Sequence, residues 1–161
     1  MIELIIIMET TSQNLSDWMY IKSTLDYFYE PRTYGISKIF AGSKSKLIQQ
    51  DENIKSKIKN TERTPIVILC ADYDRDETLN KHIIDYCNKN SYQLIWMNLD
   101  IEDVYLGKQI KNSEKSIEAI NFQRKKDNLL PKLSNLNCKS PLQTRHTSNI
   151  LCIFDQFLKR K

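Results

Sequence analysis

Glycine and proline are scarce in this chain, 3 and 4 of its 161 residues, so little of it reads as linker and a single domain, residues 1–161, is expected. Cysteine is confined to Cys70, Cys87, Cys138 and Cys152. No two of them make a C-x-x-C pair, which favours buried reduced thiols over a zinc site or a disulfide framework. The apolar run at the N-terminus, Ile2 to Met8, has no basic stretch before it and is too short for a signal or membrane segment. A cytoplasmic protein without a membrane partner is therefore expected. Internal repeats and low-complexity tracts are also absent. A strong charge of one sign is missing too. The net charge of +4 would not by itself identify nucleic acid as a partner.

What is present is globular: 40% hydrophobic and 27% charged residues. Ile2 to Met8 reads as a strand buried on both faces. Leu15, Trp18, Met19, Ile21, Leu25 and Phe28 then make one apolar helical stripe, with Ser12, Asn14 or Ser16 as candidate caps and Glu30-Pro31 as its end. Thr33 to Phe40 is a second strand, and Lys46 to Asn60 a charged helix. Ile66 to Ala71 is the third strand, Leu79 to Asn90 a helix, and Tyr92 to Met97 the fourth strand. This βαβαβαβ order predicts an α/β fold, a mainly parallel, four-stranded Rossmann-like sheet flanked by helices over residues 1–100. Residues 101–161 read as a helical C-terminal extension. It has helices near Glu102 to Ile110, Ser113 to Lys126 and from Ser148 onward, and a long loop from Leu129 to Ser148.

Two strand-like runs end abruptly in acid. Ile2 to Met8 stops at Glu9, and Pro65 to Ala71 gives way to Asp72-Tyr73-Asp74-Arg75-Asp76-Glu77. Carboxylates at the carboxyl ends of buried strands lie where open α/β sheets bind ligands. Mg²⁺ takes hard oxygen ligands and is commonly held by one or two carboxylates plus substrate phosphate. Asp72 and Asp74, two apart on an extended strand end, are expected to point the same way and to share the metal with Glu9, which could instead activate water. Asp76 and Glu77 begin a helix, either as metal ligands or as acids complementing its N-terminal dipole. An EF-hand starting at Asp72 is excluded, because Glu77 and Ile83 stand where Gly and Glu are required. An aspartyl-phosphate hydrolase or a receiver domain would need its acids placed differently along the strands.

Ile5-Ile6-Ile7-Met8-Glu9, Leu69-Cys70-Ala71-Asp72-Tyr73-Asp74 and the strand order joining them resemble the TOPRIM fold over roughly the first 100 residues. Gly42 lies where that family often has a turn glycine. Among TOPRIM proteins the chain looks most like the compact RloB-like abortive-infection proteins of bacterial phage defence. In those, an acidic segment after the fourth strand would correspond to Leu99 to Leu106 and place Glu102 near the metal. The resemblance implies a Mg²⁺- or Mn²⁺-dependent nuclease acting on RNA or DNA. Glu9, Asp72, Asp74 and Glu102 would be its catalytic acids, Glu9, Asp72, Asp74 and Asp76 its metal ligands, and an ATPase its partner. The competing reading is a TOPRIM-like or Rossmann-like module that has lost catalysis and binds a partner protein or nucleotide; Thr10-Thr11 after Glu9, where the family commonly has glycine, speaks for it.

Secondary candidates are His146 beside Arg145, as a phosphate or proton group or a merely solvated side chain. Lys44 and Lys46, after the second strand, could contact phosphate or simply begin a helix. His82 reads as structural. The basic runs Arg124-Lys125-Lys126 and Lys159-Arg160-Lys161 read as solvated helix ends.

Overall fold

The computed structural model describes residues 1–161. Four strands, β1 (Ile2–Met8), β2 (Tyr34–Phe40), β3 (Thr64–Tyr73) and β4 (Gln93–Asn98), form one parallel sheet in the order β2-β1-β3-β4. β1 pairs along both its edges, Ile5 with Ser37 on β2 and with Val67 on β3. Parallel neighbours need covered crossovers, and the helices supply them. Side chains alternate across the sheet. Leu4, Ile6 and Met8 join the larger apolar cluster, beneath α1 (Ser16–Phe28), α4 (Ile101–Leu106), α5 (Lys115–Arg124) and α7 (Ile150–Phe154). Ile5 and Ile7 join the smaller one, beneath α2 (Asp51–Lys59) and α3 (Glu77–Asn90). No helix is long and apolar enough to cross a membrane.

One charge is buried on the central strand itself. Glu3 is buried on β1, and its carboxylate accepts hydrogen bonds from Ser37 Oγ at 2.8 Å and Arg63 Nη1 at 3.0 Å. The pair lies directly over Gly35. A Cβ there would fall 1.7 Å from the guanidinium nitrogen, so only glycine leaves room for it.

The expected elements are present with instructive shifts. β3 runs to Tyr73, two residues beyond the expected end, and takes Asp72 into the ladder opposite Met97. None of the three candidate caps takes the N-cap position of α1, which is Leu15 without a side-chain cap; Asn14 makes a local turn before it, its Oδ1 accepting the Ser16 amide at 3.1 Å. The charged helix divides into a short 3₁₀ turn, Leu47–Gln49, and α2. α4 ends at Leu106 rather than Ile110, because Gly107 takes φ +71° and returns its amide to Asp103 O at 2.9 Å.

The expected long loop is not structureless. A short helix, α6 (Lys126–Leu129), leads into it, and it holds two 3₁₀ turns, Leu130–Lys132 and Pro141–Gln143. It then docks on the free edge of β4, where Ser148 bridges Met97 and the Asn98 amide donates to Thr147 O at 3.0 Å. Asn149 completes the seal with its side chain alone. Its Oδ1 accepts the Trp96 amide at 2.8 Å and its Nδ2 donates to Leu94 O at 3.0 Å. An exposed strand edge is thereby closed against a second chain. The C-terminal basic run is not merely solvated either. Arg160 grips Asp155 through two nitrogens, at 2.6 and 2.8 Å, and covers the rings of Phe28 and Tyr29.

Replacing Asn149 by Ala leaves one backbone donor and one acceptor of β4 unpaired. The expected loss is about 2 kcal/mol, read as a lower urea midpoint with an unchanged m-value. An unchanged midpoint would show that the amide does not seal the edge.

Candidate functional site

The strand order determines where a ligand can enter. From β1 the chain crosses to β2 on one side, and from β2 it returns to β3 on the other. The connecting helices therefore part to opposite faces, and a crevice opens outside the carboxyl ends of β1 and β3. Glu9 is the first residue past β1 and Asp72 the penultimate residue of β3. Backbone pairing between these strands stops at Ile7 with Leu69. Beyond that point Glu9 Oε1 accepts the Asp72 amide at 2.9 Å, a side chain standing in for the missing carbonyl.

The crevice has a volume of about 410 Å³ and no apolar lining residue. Its wall includes Glu9, Asp17, Lys44, Asp72, Asn112 and Lys115. Asp17 comes from the first turn of α1 and Lys115 from the start of α5. Glu102, on α4, lies buried beneath Lys115, with Nζ 3.2 Å from Oε2. Neither Glu102 oxygen has a well-aligned hydrogen bond.

These acids are partly withdrawn from water, Glu102 fully so, and repel one another. Burial, then the charges of Glu9, Asp17, Asp100 and Glu102, hold the Asp72 carboxyl well above the ordinary carboxylate range. Burial pushes Glu9 up to about 7, against the pull of the Asp72 amide and of Lys44. Burial, then Glu102 and Glu9, raises Asp17 to about 7 as well. Glu102 is also raised by burial, with Lys115 opposing the rise. Lys115 in turn is held charged by Glu102 despite its own burial. Near neutrality Glu9 and Asp17 can each take up or release a proton.

No three carboxylate, histidine or cysteine side chains converge closely enough to cage a metal ion. Mg²⁺ needs fewer, since it keeps several waters and takes one or two carboxylates. The donor set fits such an ion: Glu9 and Asp72 offer hard oxygens into one polar crevice.

The other expected ligands lie elsewhere. Asp72 and Asp74 do not share a pocket, because the strand ends at Tyr73 and alternation ends with it. Asp74 turns toward α3, where its Oδ1 accepts from Lys44 Nζ at 2.7 Å and from the Asp76 amide at 3.0 Å. These bonds lower its pKa against the effect of burial. Asp76 Oδ1 accepts the Leu79 amide at 3.0 Å and caps α3, the second of its two expected roles. Lys44 reaches the crevice wall, whereas Lys46 and His82 are exposed outside it. Asp17 and Lys115 were not singled out from the sequence. The signal available for Asp17 was its place: helices after parallel strands begin over the carboxyl edge, so a first-turn acid projects there.

No protein-family model matches the chain, and neither does any curated protein or solved structure.

The raised acids have a measurable consequence. Between the ordinary values of 3.8 and 4.5 and the folded values of about 7, the folded protein binds more protons than the unfolded chain. Unfolding releases those protons, so stability falls as pH rises through that window. In the presence of EDTA the thermal midpoint should decline from about pH 5 to about pH 8, and Asp72→Asn should flatten the decline. A midpoint that climbs over this range would show that the acids are not held protonated.

Proposed function

We propose that the chain is a divalent-cation-dependent protein that processes phosphodiester bonds, with nucleic acid as its substrate class. The observation that carries this reading is the Glu9–Asp72 pair at the topological switch point, where the fold leaves a polar crevice. The resemblance of these two strand ends to TOPRIM sequences supports the same chemistry, and with it the place among phage-defence effectors.

Glu9 and Asp72 would hold the cation, with Asp17 as the third acid of the crevice. A bound Mg²⁺ or Mn²⁺ would polarise a phosphoryl oxygen and make water a better nucleophile. The chain's own groups have separate tasks. Where Glu9 is not itself bound to the cation, its carboxylate would instead accept a proton from water. Lys115 stands in the crevice wall as the cation facing an incoming phosphate, and Glu102 beneath keeps it charged and in place. Glu102 is thus a positioning residue.

A second reading, a non-catalytic module that binds a nucleotide or partner protein, draws on two observations. No three ligands converge, and one Glu9 oxygen is already occupied by the Asp72 amide.

Calorimetric titration with Mg²⁺ and Mn²⁺, run beside cleavage of mixed single-stranded RNA and DNA, separates the two. The expected result is metal binding weakened at least tenfold in Asp72→Asn. Metal-dependent cleavage should fall by roughly 10²-fold or more in Glu9→Gln. Wild-type cleavage in the Glu9→Gln, Asp72→Asn double variant would remove the site. Nucleotide binding with no response to metal would support the second reading.

A further inference from the structure

The carboxyl edge carries a second cleft, of about 420 Å³, over the ends of β3 and β4. Tyr73, Asp74, Arg75, Asn98, Leu142 and Arg145 line it. Arg75 and Arg145 are exposed and belong to no ion pair of the chain; the same holds for Arg32 and Arg124, but only Arg75 and Arg145 line the cleft. Asp74, the one acid in this wall, is neutralised by Lys44 at 2.7 Å. Two guanidinium groups are therefore left facing an open cleft without a counter-charge.

The segment that presents Arg145 is held firmly. Thr147 O accepts the Asn98 amide, Pro141 O accepts Asn98 Nδ2, and His146 O accepts Asn135 Nδ2. The His146 ring lies beside buried Asp103, its Nδ1 2.7 Å from Oδ2. His146 takes φ +60°, and Leu99, also in the cleft wall, takes φ +76°. Residues with a Cβ keep such conformations only where surrounding contacts enforce them, and enforced strain concentrates at binding sites.

We infer that this cleft seats a backbone phosphate of a single nucleic-acid strand, with Arg75 and Arg145 as its two cationic contacts. Guanidinium forks match phosphate oxygens, and Tyr73 and Leu142 offer apolar surface to the adjoining base or sugar. The inference rests on the phosphodiester reading of the neighbouring crevice. Tyr73 and Asp74 line this cleft and Asp72, next in the chain, lines the other, so a strand anchored in one would pass beside the carboxylates of the other.

The test is fluorescence anisotropy of labelled single-stranded RNA and DNA of about a dozen nucleotides, in EDTA, across a range of salt. Each phosphate contact contributes about 0.7 to the slope of log K against log salt for single strands. Because both arginines address one phosphate, Arg75→Gln with Arg145→Gln should reduce the slope by about 0.7 and weaken binding roughly tenfold or more. Lys125→Gln with Lys126→Gln, away from the cleft, should leave both nearly unchanged, and circular dichroism verifies that each variant is folded. An unchanged slope in the arginine variant overturns the inference. So does an equal loss in the lysine variant, or an oligonucleotide that binds no better than inorganic phosphate. Because the readout needs no metal and no cleavage, it stands apart from the carboxylate chemistry. Wild type that binds through the arginines but never cleaves would refute the proposed activity and leave this cleft assigned.

Discussion

The five side chains from Leu4 to Met8 have no contact with solvent, and β1 is hydrogen-bonded along both edges, so neither sliding nor rotation of this strand is open to the fold. A one-residue slip would carry every buried side chain to the opposite face. Glu9 follows without an intervening residue, and its position is therefore as well defined as that of the core. The same holds for Asp72, which is still inside the β3 ladder. Two carboxylates are brought to the switch point by packing that involves neither of them.

Side chains finish the sheet where its backbone runs out. β3 extends past the end of its pairing with β1, and Glu9 Oε1 meets the Asp72 amide that no β1 carbonyl reaches. On the far edge Asn149 offers β4 both an acceptor and a donor, as a neighbouring strand would. The two devices differ in consequence. Asn149 is neutral and closes an edge, whereas Glu9 takes a charge into partly desolvated surroundings and ties its own protonation to that of Asp72.

This contrast also explains what could be read in the sequence. The four strands, the helices between them and the acids Glu9 and Asp72 were legible because apolar runs of strand length break sharply at a carboxylate. The pairing of Asp72 with Asp74 was read wrongly by a local rule. Period-two alternation holds only while the backbone stays extended, and the turn that begins at Asp74 is held by Asn80, six residues on, and by Lys44, which lies distant in sequence. Asp17 has the appearance of an ordinary first-turn acid, and only the parting of the helices shows what it faces. The docking of residues 147–149 on β4 rests on a single bridge and one side-chain amide, which leave no periodicity to detect.

The arrangement of charges around the crevice is the last point. A cluster of half-buried acids can be neutralised by protons, by lysines or by a bound cation. Lysine does not suffice here, because Lys44 is committed to Asp74 and Lys115 to Glu102. Glu9, Asp17 and Asp72 are left without a cation of their own, in a chain with 24 lysines and arginines and a net charge of +4. A fold with so many basic residues had ample means to pair these three acids and did not. Local rules of charge compensation are broken mainly where function demands it, and perturbed acids gathered in a polar crevice at a switch point meet that description. The unpaired arginines one cleft away break the same rule with the opposite sign. A phosphate chain approached by a divalent cation is one ligand that would satisfy both.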